Sequence, residues 1–539
     1  MKSLAWAADQ LRRCDQTHTK CSSKGGSELP RRVLDIGQSS RDIVRLYETE
    51  REPGRYACLS YCWGRRPFLR TVTANFDAHL AEIPWDQLPL THQETIAVVR
   101  QLGIRYLWID SLCIIQDDKS DWRCEAGGMA SIYKHSCLVI SASKSSAAND
   151  GLFSAVSPDT GPYKLAVSPD DRQSGGIYTR IRFTHVGQTL HRPAESAPPL
   201  PVFARGWTLQ ERFLAPRILH FNRDEIAWEC LEDSACQCSG IDSAAQPLST
   251  NRAVTRALKK YESDGIGSSL EPKWRHNPLD WRGMSQQELQ QSWHDLIEDH
   301  SRLELTYESD IFPATSGLAK ELQRVRESKY LAGLWENSLL EDLCWHVASW
   351  RPARITSGRP TQWRAPTWSW ASVTGSVRFT TSAGLLDPCQ VLESICTPAS
   401  TDPTGELTSG HLVLKGLLIP TDLLYKPEVG ALTAATWQTF DLGLLRGMMG
   451  SQYADYNCSM EGEGQVTSGS TVYCFLLGRM RPTGSLCLLV LRQVGEGSEV
   501  NFPVYERIGF AELFFQQFPK ALVMDEIRSY GQDTVIKVV

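Results

Sequence analysis

The 539-residue sequence contains no apolar run long enough to cross a bilayer. Its longer ones, such as SLCLLVL at 485–491, fall far short of the ~20 residues a spanning helix needs. The first sixteen residues, MKSLAWAADQLRRCDQ, have the pattern of a short amphipathic helix and lack the continuous apolar stretch of a secretory signal. Excess charge of either sign is also missing: 56 Lys and Arg stand against 62 Asp and Glu, for a net charge of −6. No block of basic residues suggests a nucleic-acid surface. Walker A loops, GxSxG elbows, GxGxxG turns and HExxH helices are all absent, so ATPase, serine-hydrolase, Rossmann-dehydrogenase and HExxH metalloprotease readings have no local support. No internal repeat is visible. A soluble cytoplasmic protein with no membrane span and no nucleic-acid partner is the expectation.

What is present is ordinary globular material, 42% hydrophobic and 22% charged, in a chain long enough for two or three domains. Sixteen cysteines would suit a disulfide scaffold only in a small secreted chain. Here Cys58, Cys113, Cys137, Cys474 and Cys487 sit inside apolar runs, which predicts reduced, buried thiols.

Periodicity suggests four regions: a lead-in (1–45), an α/β domain (46–230), an insertion or linker rich in Ser, Asp, Gln and Gly (231–290), and a C-terminal region (291–539) with a helical block followed by strands. Within the second, YACLSY reads as a strand. THQETIAVVRQLG (91–103) reads as a helix with Thr91 and Glu94 as a capping box and Gly103 as its stop. IRYLWIDSLCII (104–115) reads as a buried strand whose core ends near Asp110, SDWRCEAGGMASIYKHS (120–136) as a helix, and CLVISAS (137–143) as a third strand. Alternating strands and helices predict a parallel sheet with right-handed crossovers. Thr208 and Glu211 fit another capping box before a strand at 218–221. Mostly antiparallel strands are expected from about residue 411 onward, and Trp368 and Trp370 of APTWSWASV should share one strand face as core.

Three stretches, YACLSYCWG (56–64), LWIDSLCIIQDDKSDWRCEAGGMASIY (107–133) and RGWTLQERFLAPRILHF (205–221), resemble the ordered signature blocks of the fungal heterokaryon-incompatibility (HET) domain. RCDQTHTKC near the N-terminus, and RAPTWSWASV and YERIGF toward the C-terminus, resemble flanking regions of the same proteins. The resemblance implies a role in non-self recognition and regulated cell death, with protein partners or self-association through the HET domain. It also implies a TIR- or flavodoxin-like α/β fold. Because some TIR domains hydrolyse NAD with a glutamate on a helix behind a tryptophan, NAD is an implied candidate substrate. A role in a biosynthetic pathway stays open as a third reading.

Candidate site residues follow from position. In parallel α/β sheets ligands bind beyond the carboxyl ends of the strands, which nominates Trp63 and Gly64 after the first strand and Asp110 after the second. Trp63 would offer an aromatic face; the alternative is a packed corner with Asp110 capping a turn. Trp122, Glu125, Met129 and Ile132 share one helix face, so Glu125 would be a desolvated carboxylate and a catalytic candidate. Its structural alternative is pairing with Arg205 or Arg217. Arg205 could also bind phosphate, while Ser60, Trp207, Gln210, Glu211 and Arg217 complete the family motif in structural roles. Cys14, His18 and Cys21 have zinc-like spacing, and Cys230, Cys236 and Cys238 form a second thiol group. Neither supplies the four ligands of a closed site by itself, so no metal is assigned.

Overall fold

The computed structural model describes residues 2–21, 26–39, 42–154, 163–164, 178–179, 200–223, 225–237, 281–348, 358–380, 384–425, 440–442, 449–456, 458, 464–494, 502–514 and 527–539. The chain divides into two compact units, 1–280 and 281–539.

The first unit is built on an eight-stranded mixed sheet. In chain order its strands are β1 (Arg32–Asp35), β2 (Arg45–Glu48), β3 (Tyr56–Ser60), β4 (Tyr106–Trp108), β5 (Leu138–Ser141), β6 (Arg217–Phe221), β7 (Ile226–Cys230) and β8 (Ser234–Cys236). Across the sheet they run β8-β7-β6-β5-β3-β4-β1-β2. The four in the middle, β6, β5, β3 and β4, are parallel. Every residue of β3, β5 and β6 is buried, which explains the continuous apolar or small composition of β3 and β5, since each has a covered face on both sides. The β1, β2, β7 and β8 edges are antiparallel. The expected parallel pairing of the strands between 56 and 143 is present, but the sheet also has antiparallel margins and begins at Arg32, ahead of the Tyr56 block. Short edge strands such as β2 and β8 carry too few residues for a two-residue alternation to be read.

Helices connect the parallel strands: α1 (Lys2–Thr17) precedes the sheet, α2 (Phe76–Ala81) and α3 (Leu90–Gln101) join β3 to β4, α4 (Asp110–Cys113) and α5 (Lys119–His135) join β4 to β5, and α6 (Trp207–Leu214) leads into β6. The predicted helices at 92–102 and 120–134 are present, and Gly103 ends α3 with φ +74°. Helix α5 runs unbroken through Gly127 and Gly128, and Asp118 caps its start by accepting from Ser120 N and Asp121 N. Two local expectations fail. The predicted strand through Ile115 stops at Trp108, and a short helix, α4, starts at Asp110, whose Oδ1 accepts the Ser111 N–H at 2.6 Å. Neither capping box forms. Thr91 and Glu94 instead hold the loop at 151–153 through Gly151 N, Leu152 N and Phe153 N, and Thr208 donates to the Val202 and Arg205 carbonyls.

In the second unit, helices Gln286–His300 and Pro313–Arg326 precede a nine-stranded sheet. Strand Leu407–Tyr425 pairs with both Thr471–Met480 and Gln532–Val538, closing five strands into a barrel. Pairing there is antiparallel except between 504–505 and 537–538. The barrel core includes Leu417, Ile419, Val472, Leu488, Val490 and Ile508. Trp368 and Trp370 are buried as expected, but in a turn rather than a strand. Ser369 accepts from Ala371 N to start a 3-10 turn at Trp370, and the Trp370 indole donates to the Gly333 carbonyl at 3.1 Å. No described helix is long and apolar enough to cross a membrane.

Candidate functional site

β3 is the central strand, and its two neighbours are reached by connections leaving in opposite directions: through α3 to β4, then back across through α5 to β5. Such a reversal opens a crevice beyond the strand ends. The chain fills it with Ser60, Tyr61 and Trp63 from β3, Asp110 and Ser111 after β4, and Arg205 and Glu211 around α6.

These residues form one network. The Trp63 indole N–H donates to Asp110 Oδ2 at 2.9 Å, so the two positions nominated from strand ends do meet. The Tyr61 hydroxyl donates to Ser111 Oγ at 2.8 Å. From α6 and the turn before it, Arg205 donates to the Tyr61 carbonyl and Glu211 accepts from the Ser60 hydroxyl. Beneath them, buried His92 meets Tyr61 edge-on at 5.0 Å. On the rim, Trp63 packs edge-on against Phe68 at 5.6 Å, with Arg70 5.9 Å from its ring.

Burial sets the electrostatics. It pushes the Glu211 carboxyl up to about 7, against the opposing pull of Arg205 and the Ser60 hydrogen bond. Asp110 is raised for the same first reason, with Arg205 and Trp63 opposing. For Arg205 burial favours the neutral form, yet the carboxylates Glu211 and Asp110 outweigh it and leave the guanidinium more firmly charged. Burial drives His92 down to about 3, so its ring is neutral. The group thus offers an indole face, a guanidinium and a carboxyl that gains and loses its proton near neutral pH, a combination that marks functional sites more often than bulk core. Asp110, Trp63 and Arg205 keep part of their surface in solvent.

Other nominated residues take different places. Gly64 is required by the backbone: its φ is +75°, and a Cβ there would lie 2.5 Å from that of Ala147. Trp122 is half-buried on α5. Glu125 is buried away from the Trp63–Asp110 pair, with Arg32 of β1 at 3.4 Å and Arg31 at 3.9 Å. Those two, not Arg205 or Arg217, are its partners. Arg32 also holds Asp121 at 2.5 Å, and burial raises Glu125 despite Arg32. Arg217 binds Asp15 Oδ1 at 2.8 Å and the Cys21 carbonyl at 2.7 Å, tying the N-terminal segment to β6. Trp207 is half-buried and Gln210 buried on α6. Tyr61, Ser111 and His92 were not singled out from sequence; each reads there as ordinary core, and only its neighbours reveal otherwise.

The thiol groups separated in sequence are not separate in space. Ligand atoms of Cys14, His18, Cys21 and Cys230 all lie within 4.8 Å of one another, which supplies the fourth donor that local spacing lacked. Cys236 is buried on β8 and stands outside this set, and Cys238 lies outside the described residues. All described cysteines are free thiols.

No curated protein and no solved structure matches the chain. Residues 56–211 match the family model described as "Heterokaryon incompatibility protein (HET)". That match opens on the first residue of β3 and closes on Glu211, spanning the described parallel strands β3, β4 and β5 and every member of the network named above, so the chain carries a HET domain at residues 56–211.

Proposed function

We propose that the protein acts in heterokaryon incompatibility as a non-self recognition component that triggers regulated cell death, with the HET domain as its effector module. The observation carrying this reading is the coincidence of the family match with the network at the strand ends: both boundaries of the match, Tyr56 and Glu211, belong to elements that build it. Protein partners or self-association of the domain would relay the signal.

The test is inducible expression of the full chain in a fungal host, scored by colony viability. Native protein is expected to reduce viability, and a Trp63→Ala, Glu211→Gln double variant expressed at equal level to reduce it at least tenfold less. Equal killing by both would remove the network from the effector role, and no killing under any expression level or self-association would remove the reading itself.

A second reading is favoured by the titration of Glu211 near neutrality beside an indole face and a guanidinium: a TIR-like fold cleaving the nicotinamide–ribose bond of NAD. Positive charge develops on the ribose as that bond breaks, and a positioned carboxylate stabilises it. Incubation with NAD and measurement of free nicotinamide tests this, comparing Glu125→Gln, Asp110→Asn and Glu211→Gln. Release lost only in Glu125→Gln would place the chemistry beside Arg32; release lost in the other two would place it at the strand ends. No release by native protein leaves a binding module.

A further inference from the structure

We propose that Cys14, His18, Cys21 and Cys230 bind one zinc ion in a closed tetrahedral site that staples the N-terminal segment to the edge of the HET-domain sheet.

Geometry brings the four together by three separate routes. Cys14 and His18 are four residues apart at the end of α1, where the His18 N–H bonds the Cys14 carbonyl at 3.1 Å; that spacing sets both side chains on one face. Cys21 follows in the next turn, its carbonyl fixed by Arg217. Cys230 ends β7, at a hairpin closed by its own N–H on the Asp233 carbonyl at 2.8 Å. His18 Nδ1 stands 3.3 Å from Cys230 Sγ. With Zn–S near 2.3 Å and Zn–N near 2.0 Å, ligand atoms of a tetrahedral site lie roughly 3.5–3.8 Å from each other, so a set confined within 4.8 Å needs only a small contraction.

The surroundings match a thiolate-rich site. The Asp233 N–H donates to Cys230 Sγ at 3.2 Å and Arg217 Nε to Cys14 Sγ at 3.1 Å, the outer hydrogen bonds that orient and charge-compensate thiolate ligands. Three thiolates and a neutral imidazole leave one net negative charge around Zn²⁺, which Arg217 faces. Binding releases up to three protons, one from each thiol. Three sulfurs and a nitrogen select zinc over magnesium or calcium. Four protein ligands, three of them buried, leave no open position for substrate, so the ion is structural. Arg13 to Asp233 and Lys20 N to Glu232 bridge the same two segments.

The experiment is metal analysis of the full-length chain purified without chelator, followed by cobalt titration of the reduced, metal-stripped chain. About one zinc per chain is expected, falling at least fivefold in Cys230→Ser and unchanged in Cys236→Ser. Cobalt should give a thiolate charge-transfer band and the intense visible bands of a tetrahedral site. Should Cys230→Ser fail to fold, His18→Asn and the native cobalt spectrum decide. Zinc absent from native chain grown with added zinc, together with no cobalt spectrum, would overturn the proposal. So would full zinc retention in both ligand variants, or a Cys14–Cys21 disulfide in freshly isolated, metal-free protein.

Discussion

Two groups of buried carboxylates share the N-terminal unit and solve the same problem differently. Asp121 and Glu125 face Arg32, which is itself buried and contacts both. Glu211 and Asp110 face Arg205, which spends a hydrogen bond on the Tyr61 carbonyl and acts on both carboxyls through space. In the first group both carboxylates touch the Arg32 guanidinium, although burial still raises Glu125. In the second, neutralisation is incomplete, Glu211 is left titrating near 7, and part of the group reaches solvent. Incomplete compensation is what a site needs if an incoming ligand is to supply the rest. Burial alone therefore does not separate the two groups; direct contact with a guanidinium does.

The largest expected effect falls on the group in contact with Arg32. Arg32→Ala strands two buried carboxylates, at a cost of about 3–5 kcal/mol, and should lower the thermal midpoint far more than any change at the strand ends. A shift no greater than that of an exposed Arg12→Ala would dissolve the contrast.

Next comes Glu211. Its folded pKa of about 7 exceeds the ordinary 4.5, so between those values the folded chain holds a proton that the unfolded chain has lost. Stability contributed by this group is present at low pH and is lost as pH rises from 4.5 to 7, a total of about 3 kcal/mol at roughly 1.4 kcal/mol per unit. Glu211→Gln removes that loss. The variant should be more stable than native protein near pH 8 and should show a flatter urea-midpoint profile across this range. A profile as steep as the native one would mean that Glu211 does not drive the native pH dependence.

Gly64→Ala should cost about 1–3 kcal/mol, from a left-handed backbone and the approach of Ala147, without changing the pH profile. Smallest is Trp63→Phe, which keeps an aromatic ring against Phe68 and leaves Asp110 without its indole donor, for a loss of about 1 kcal/mol. Thermal melts order these two, and a reversed order would show that the indole hydrogen bond holds the corner rather than the glycine.

Much of the framework was legible in the residues. The strand at Tyr56, the helices ending at Gly103 and starting after Asp118, the strand at Leu138 and the antiparallel C-terminal strands all follow from local periodicity and stop signals. Misreadings arose where local signals had two uses. Thr91 with Glu94 and Thr208 with Glu211 have capping spacing, but their side chains are drawn to a distant loop, to nearby carbonyls and to Ser60. The continuous apolar run through Asp110 has the look of a strand because α4 is also buried.

Sequence by itself determined the strands at Tyr56 and Leu138, the helices between them, and that Trp63 and Asp110 would each follow a strand. Only the tertiary structure decided the partners: Arg32 rather than Arg205 or Arg217 for Glu125, Ser60 for Glu211, and Cys230 for a histidine 212 residues away. The physical reason is range. Hydrogen-bonding periodicity and side-chain shape act within a few residues and are written in order along the chain, whereas the identity of a charge's or a thiol's neighbour depends on strand order across the sheet, set by the summed packing of the whole domain.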